Sequence, residues 1–185
     1  MLKNQTLDEF YSAFREEVLC ASDTETSGWT TEDFLTNVMM EYLEEAGEVT
    51  DPVICPFRGY GLQMNAYAIS EDYESVDIFV SIYSDSEYPR SVSQTDIDAA
   101  IKRAIQLYHK AINDLYTSFQ KDNDTYEFAI TLHQNKDSIK HVRICALTNG
   151  LVKPITLKNI TIGKAIQSGY NGFSSRILHT FRDNT

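Results

Sequence analysis

Residues 59–83 constrain the fold of this chain more than any other stretch. Their second half alternates between two sets of side chains: Val76, Ile78, Val80 and Ile82 in one set, and Asp77, Phe79, Ser81 and Tyr83 in the other. This period of two is typical of a β-strand with one aliphatic face. A polar segment at residues 70–75 separates it from an earlier strand-like run, so the sequence predicts a β-hairpin. Asp77 places a carboxylate at the start of the second strand.

Helical patterns flank this hairpin on both sides. Thr6 and Glu9 have the spacing of a capping box, and apolar residues at three- and four-residue steps predict a first helix over residues 7–20. A second helix is predicted from near residue 30 or 31 to a natural stop at Gly47. A long amphipathic helix is predicted after the hairpin, from near residue 93 or 95 to about residue 120.

The C-terminal third of the chain has the texture of strands. Residues 126–132 and 139–147 alternate in hydrophobicity around a short polar connection, which predicts a second hairpin. Residues 155–163 and 175–181 are further strand-like segments, whereas residues 51–56 contain two prolines and predict an extended connector.

The order of these elements predicts an α/β (α+β) fold: a central mixed β-sheet flanked by helices, with two N-terminal helices and one long helix between two β-hairpins. A length of 185 residues suits a single domain spanning 1–185.

Composition excludes several classes of function. A formal net charge of -11 argues against a broad nucleic-acid-binding surface, although it leaves room for a small local basic patch. No apolar window of roughly 18 residues is present, and the N-terminus lacks the apolar run of a signal peptide, so no membrane association is predicted. Three widely spaced cysteines, an odd number, suit a reducing compartment, and the expected localisation is cytoplasmic.

Acidic residues provide the candidate metal ligands. Glu41, Glu45 and Glu48 lie on one face of the second helix or at its exit. They form a solvated acidic face, or one of them points back towards the hairpin and helps Asp77 to hold a divalent cation. Asp77 can equally be a strand-edge carboxylate that is hydrogen-bonded to a turn or to Arg58.

Five short segments resemble the N-terminal domain of the abortive infection phage resistance (AIPR) proteins: LEEAGEV at 43–49, GYG at 59–61, NAY at 65–67, VDIFVSIY at 76–83 and RICALTNG at 143–150. The resemblance runs from about residue 31 to residue 181, although Leu178 and His179 stand where an aromatic–Asp pair is expected. Members of that family are bacterial and considerably longer than this chain. The resemblance therefore implies an N-terminal domain of a longer antiphage defence protein.

The order of elements also resembles the restriction-endonuclease, or PD-(D/E)XK, core. An active member needs a carboxylate on one strand, then Asp or Glu, one residue and Lys on the next; the carboxylates hold Mg²⁺ and the Lys orients water. In this chain Phe79 stands two residues after Asp77, and Asn65 occupies the earlier strand where an Asp is wanted.

We therefore expect a non-catalytic or degenerate nuclease-like domain without a cofactor, which acts in assembly or sensing. The alternative is a Mg²⁺-dependent DNA or RNA nuclease that uses Asp77 with Glu45 or Glu48. The expected partners are other domains of the same protein and a possible second copy in a homodimer, and the question of nucleic acid stays open.

Overall fold

The computed structural model describes residues 6–24, 28–152 and 173–179. Its helices and strands, in chain order, are α1 (Leu7–Thr24), α2 (Thr31–Glu45), β1 (Val53–Gly59), β2 (Leu62–Ile69), β3 (Ser75–Ile82), α3 (Gln94–Ala111), a 3-10 turn (Leu115–Ser118), α4 (Asp124–Asn135), β4 (His141–Thr148) and β5 (Phe173–His179). The five strands form one sheet in the order β1-β2-β3-β4-β5. β1 to β3 are an antiparallel meander, whereas β4 is parallel to both β3 and β5.

The predicted hairpin and the predicted α+β class are confirmed. The aliphatic face of β3 is buried in a core cluster with α3 and α4, which includes Val76, Ile78 and Val80. The opposite face packs against α1 and α2 through a second cluster that includes Phe79. The mixed sheet therefore has helices on both faces, and β3 lies in its interior.

Both ends of α2 are fixed by local hydrogen bonds. Thr30 and Asp33 form a capping box at the N-terminus, where the side chain of each accepts from the backbone of the other. At the C-terminus the backbone N–H of Gly47 donates to Glu44 at 2.9 Å, and that of Glu48 donates to Leu43 at 2.9 Å. This pair of bonds is a Schellman motif, so the end of α2 and the position of Glu48 are set by the backbone.

Replacing Gly47 with alanine is expected to destabilise the domain by about 1–2 kcal/mol, because Gly47 has a φ of +70° and a Cβ is disfavoured there. Urea unfolding measures this change. Gly59→Ala is the matched control, since its Cβ would meet only Phe57 at 3.6 Å and its φ is not positive. Equal stability of the two variants would contradict the Schellman description.

The predicted second hairpin is wrong. Residues 126–132 belong to α4, and β4 pairs in parallel with β3. The segment fits both periods: Phe128, Ile130 and Leu132 alternate, yet the residues that are buried, Thr125, Phe128, Ala129 and Leu132, have helical spacing. Asn123 caps this helix by accepting from the backbone of Thr125 at 2.8 Å. Capping and a helical apolar stripe outweigh the alternation.

Two other boundaries differ from the prediction. α3 ends at Ala111 and not at the predicted residue 120. The side-chain amide of Asn113 donates to the backbone carbonyl of His109 at 2.7 Å and so competes with the helix for that acceptor. The predicted connector is the edge strand β1, which accommodates Pro56 at a register shift between Ile54 and Phe57.

Near the two ends of the chain, the observed elements agree with the predicted ones only in part. The first helix is longer than predicted and reaches Thr24. The predicted strand at 155–163 lies outside the described residues, and the predicted strand at 175–181 is represented by β5.

Candidate functional site

Asp77 lies on the face of β3 that is turned towards α2, and its carboxylate is held by Arg143 of the neighbouring strand. The two residues are register partners in the parallel β3–β4 pair. Nε of Arg143 donates to Oδ1 at 2.9 Å and Nη2 donates to Oδ2 at 2.5 Å, which is a bidentate ion pair. The hydrogen bond that Arg143 donates to Asp77 raises the pKa of Arg143, although burial opposes this change. The expected partner Arg58 is not the one found, and β3 is not a sheet edge.

Glu48 is brought to the same region by the turn that follows α2. Its backbone carbonyl accepts from Nη2 of Arg143 at 2.9 Å, so one guanidinium ties β3, β4 and the end of α2 together. Glu48 and Asp77 both line an acidic cleft of about 520 Å³, formed by residues Glu48, Val49, Thr50, Asp51, Ala68, Ile69, Ser70, Glu71, Asp72, Ser75 and Asp77.

Glu45 lies elsewhere. It is the last residue of α2 and is exposed, and it is not among the residues that line the acidic cleft. Its surroundings include Tyr42, whose hydroxyl donates to Glu17 at 2.5 Å. That hydrogen bond, burial and the nearby carboxylates raise the pKa of Tyr42 to about 12. Of the three predicted carboxylates, the structure brings together only Asp77 and Glu48.

The residues at the cleft do not fit a Mg²⁺ centre of the predicted kind. In the described part of the chain, no three His, Cys, Asp or Glu side chains form a group that could hold a metal ion. Both carboxylate oxygens of Asp77 accept hydrogen bonds from Arg143. A guanidinium therefore already binds each of the two oxygens with which Asp77 would ligate a cation.

Phe79 stands two residues after Asp77, where the resemblance to the restriction-endonuclease core implies a lysine in an active member. Its side chain is 0% exposed and belongs to the core cluster between the sheet and α2. An amine at this position would be surrounded by apolar side chains and would have no water to solvate it. This position is part of the hydrophobic core and is not a wall of the cleft.

A buried group of polar side chains lies on the same face of the sheet, near the other end of β3. This amide cluster consists of Thr36, Gln63, Asn65 and Ser81. Asn65 accepts from the backbone of Ser81 at 2.9 Å, and the hydroxyls of Thr36 and Ser81 are 2.6 Å apart. Ser81 is four residues from Asp77 on an extended strand, roughly 13 Å away, so the cluster and the acidic cleft are separate.

Of this cluster, only Asn65 is recognisable from the sequence as a candidate site position. The rim is formed by Glu32, which accepts from Nδ2 of Asn65 at 3.3 Å, and by Arg58 and Arg103, which donate to Gln63. Amides at alternating positions of β2, between apolar neighbours, were the signal that could have revealed it. Polar side chains on a buried strand face must find partners with one another.

Comparisons with known proteins give one family. The sequence model described as the abortive infection phage resistance protein N-terminal domain matches residues 35–168, which is more than two thirds of the 185 residues. The searches of curated proteins and of solved structures found no match. In the part of the chain that the structure describes, no helix has the length and apolar character needed to cross a bilayer.

Proposed function

Because the chain belongs to the family of abortive infection phage resistance N-terminal domains, we propose that it serves antiphage defence without cutting nucleic acid itself, through assembly or sensing. The observation that supports this proposal most strongly is the bidentate pair between Asp77 and Arg143. A carboxylate with both oxygens bound to a guanidinium has little capacity left to ligate a metal ion.

The topology supports the idea of a nuclease-like shell. One helix, three antiparallel strands, a helical crossover and a parallel strand follow each other from α2 to β4. This order is compatible with the restriction-endonuclease core. In such a shell, Asn65 and Phe79 stand where a metal-binding carboxylate and a lysine are needed. We infer that the domain is a scaffold in which the polar side chains on this face of the sheet stabilise the fold and do not take part in catalysis.

A second candidate function is a Mg²⁺-dependent nuclease that uses Asp77 with Glu48. The observation in its favour is that both residues line the acidic cleft. It requires Arg143 to release Asp77 when a metal ion and substrate bind. Glu45 does not line the cleft, so of the two predicted helix ligands we favour Glu48 for this alternative.

A cleavage assay distinguishes the two candidates. The purified chain is incubated with supercoiled plasmid, single-stranded DNA and single-stranded RNA in the presence of Mg²⁺ or Mn²⁺, and products are resolved on gels. We expect all three substrates to stay intact, because the side chains around Asp77 form an ion pair and not a metal site.

The matched variants are Asp77→Asn and Glu45→Gln, which each remove one negative charge. Cleavage that is lost in Asp77→Asn and kept in Glu45→Gln would establish the nuclease and overturn our proposal. Cleavage that persists in Asp77→Asn would exclude Asp77 as its source.

A further inference from the structure

Two guanidinium groups converge on one buried oxygen at the rim of the amide cluster. Nη2 of Arg58 and Nε of Arg103 each donate to Oε1 of Gln63 at 3.0 Å. Gln63 is 1% exposed, and its Nε2 donates to the carbonyl of Ser81 at 3.2 Å and to Oδ1 of Asn65 at 3.4 Å. Because the amide nitrogen has these acceptors, the oxygen must point towards the arginines.

Neither arginine forms an ion pair with a carboxylate of the described residues. The ion pairs in the described residues involve Arg15, Lys140 and Arg143, but neither Arg58 nor Arg103. Since each donor atom is 3.0 Å from the same oxygen, the two atoms are no more than 6 Å apart, and the like charges repel. In a chain of net charge -11, two adjacent cations that share only a neutral acceptor are unusual and create a local attraction for an anion.

An exposed aromatic residue lies in the turn between the strands that carry Arg58 and Gln63. Arg58 and Gln63 are register partners in the β1–β2 hairpin, and Tyr60 lies in the connecting turn. Its side chain is 94% exposed and its φ is +54°, a conformation that bulky residues rarely adopt. Two residues of extended chain span at most roughly 7 Å, so a ligand that extends from Arg58 towards the turn can meet this residue. Tyr60 also lines a cavity with Phe57 and Leu62.

We propose that Arg58 and Arg103 bind a phosphate group and that Tyr60 stacks on the base attached to it. Guanidinium groups match the geometry of phosphate oxygens, and flat aromatic side chains bind bases through their faces. The ligand is a nucleotide or a short single-stranded segment of nucleic acid. The strongly acidic remainder of the chain disfavours a long duplex, which would need many positive contacts. The site does not depend on whether the domain is catalytic.

Fluorescence anisotropy tests this proposal with the whole 185-residue chain. The probes are a labelled oligothymidylate and a labelled oligouridylate of about twelve nucleotides, and unlabelled AMP and inorganic phosphate are the competitors. Arg58→Gln and Arg103→Gln are each expected to weaken oligonucleotide binding about tenfold, because each removes a charged hydrogen-bond donor. Each is also expected to reduce the slope of log affinity against log salt by about 0.7.

Lys102→Gln is the matched control, since it removes one exposed positive charge from the position next to Arg103 on α3. Its effect should be less than about twofold, because the removed charge is solvent-exposed and screened by salt. Tyr60→Asn introduces a residue that tolerates positive φ, so the turn is retained while the ring is lost. It should weaken oligonucleotide binding about tenfold without changing competition by inorganic phosphate.

Strong competition by AMP would identify a nucleotide as the ligand, and binding of oligonucleotides that AMP does not compete would identify single-stranded nucleic acid. Either result supports the proposal. Circular dichroism checks that the variants are folded. The single arginine variants should stay folded, because each leaves Gln63 with one hydrogen-bond donor. If an arginine variant unfolds, the binding measured for Tyr60→Asn tests the proposal instead. No binding by the unaltered chain, or arginine variants that bind like Lys102→Gln, would overturn the proposal.

Discussion

We expect Phe79→Lys to unfold the domain at 25 °C, because of the position of this side chain. Phe79 is 0% exposed on the interior strand of the sheet and is surrounded by apolar side chains of the cluster beneath α2. Removing a buried phenylalanine alone costs about 3–5 kcal/mol, and an ammonium group without a partner adds a desolvation cost. The total approaches the whole stability of a typical domain, about 5–15 kcal/mol. Far-ultraviolet circular dichroism and urea titration measure this loss.

Phe79→Met is the matched control, because it keeps a large apolar side chain and should cost far less, about 1.5 kcal/mol. The comparison also addresses function, since lysine at this position would complete the Asp-x-Lys pattern that an active strand carries. A folded Phe79→Lys protein with metal-dependent cleavage would show that this side of β3 is a dormant active site. It would contradict our description of Phe79 as a core residue.

Breaking the pair between Asp77 and Arg143 should cost about 2–3 kcal/mol for either partner. The two side chains are only 19% and 23% exposed, so removal of one leaves a partly buried charge without its counter-ion. Arg143→Met also removes the hydrogen bond to the carbonyl of Glu48 and releases the end of α2 from the sheet. A double-mutant cycle with Asp77→Asn and Arg143→Met, measured by urea unfolding, gives the coupling free energy.

The ion pair between Lys140 and Glu74 provides a control, because it lies at the N-terminal ends of the same two strands. Its side chains are 58% and 41% exposed, and exposed pairs contribute at most about 1 kcal/mol. A coupling free energy for Asp77 and Arg143 no larger than that of the control pair would show that Arg143 does not hold the carboxylate firmly. In that case Asp77 would be accessible to a metal ion.

The sequence predicts correctly those elements whose hydrophobic pattern fits only one period, either that of a helix or that of a strand. The β2–β3 hairpin and the two N-terminal helices have clear patterns with caps and turns at their ends, and the structure confirms them. Residues 126–132 satisfy both the strand and the helix period, and the apolar alternation led to the wrong choice. The sequence signal that would have settled the matter was Asn123, a good N-cap directly before the segment.

The candidate site was less predictable, because its contacts join distant parts of the chain. Asp77 and Arg143 are 66 residues apart and meet only because β4 is parallel to β3. The predicted antiparallel hairpin hid that register. Likewise, Arg103 approaches Gln63 from α3, 40 residues later, and no local pattern indicates such a contact. Candidate carboxylates can be found from sequence, but their counter-ions depend on tertiary register.

The irregularity in β1 has a consequence for how copies of this domain can associate. Pro56 offers no backbone donor, and the shifted register bends the strand at this outer border of the sheet. A strand of a second copy that paired with β1 would meet an interrupted row of backbone hydrogen-bond donors and acceptors. Repeated strand addition, which is the first step towards fibres, is therefore disfavoured at β1. Dimerisation by strand pairing through β1 is disfavoured for the same reason.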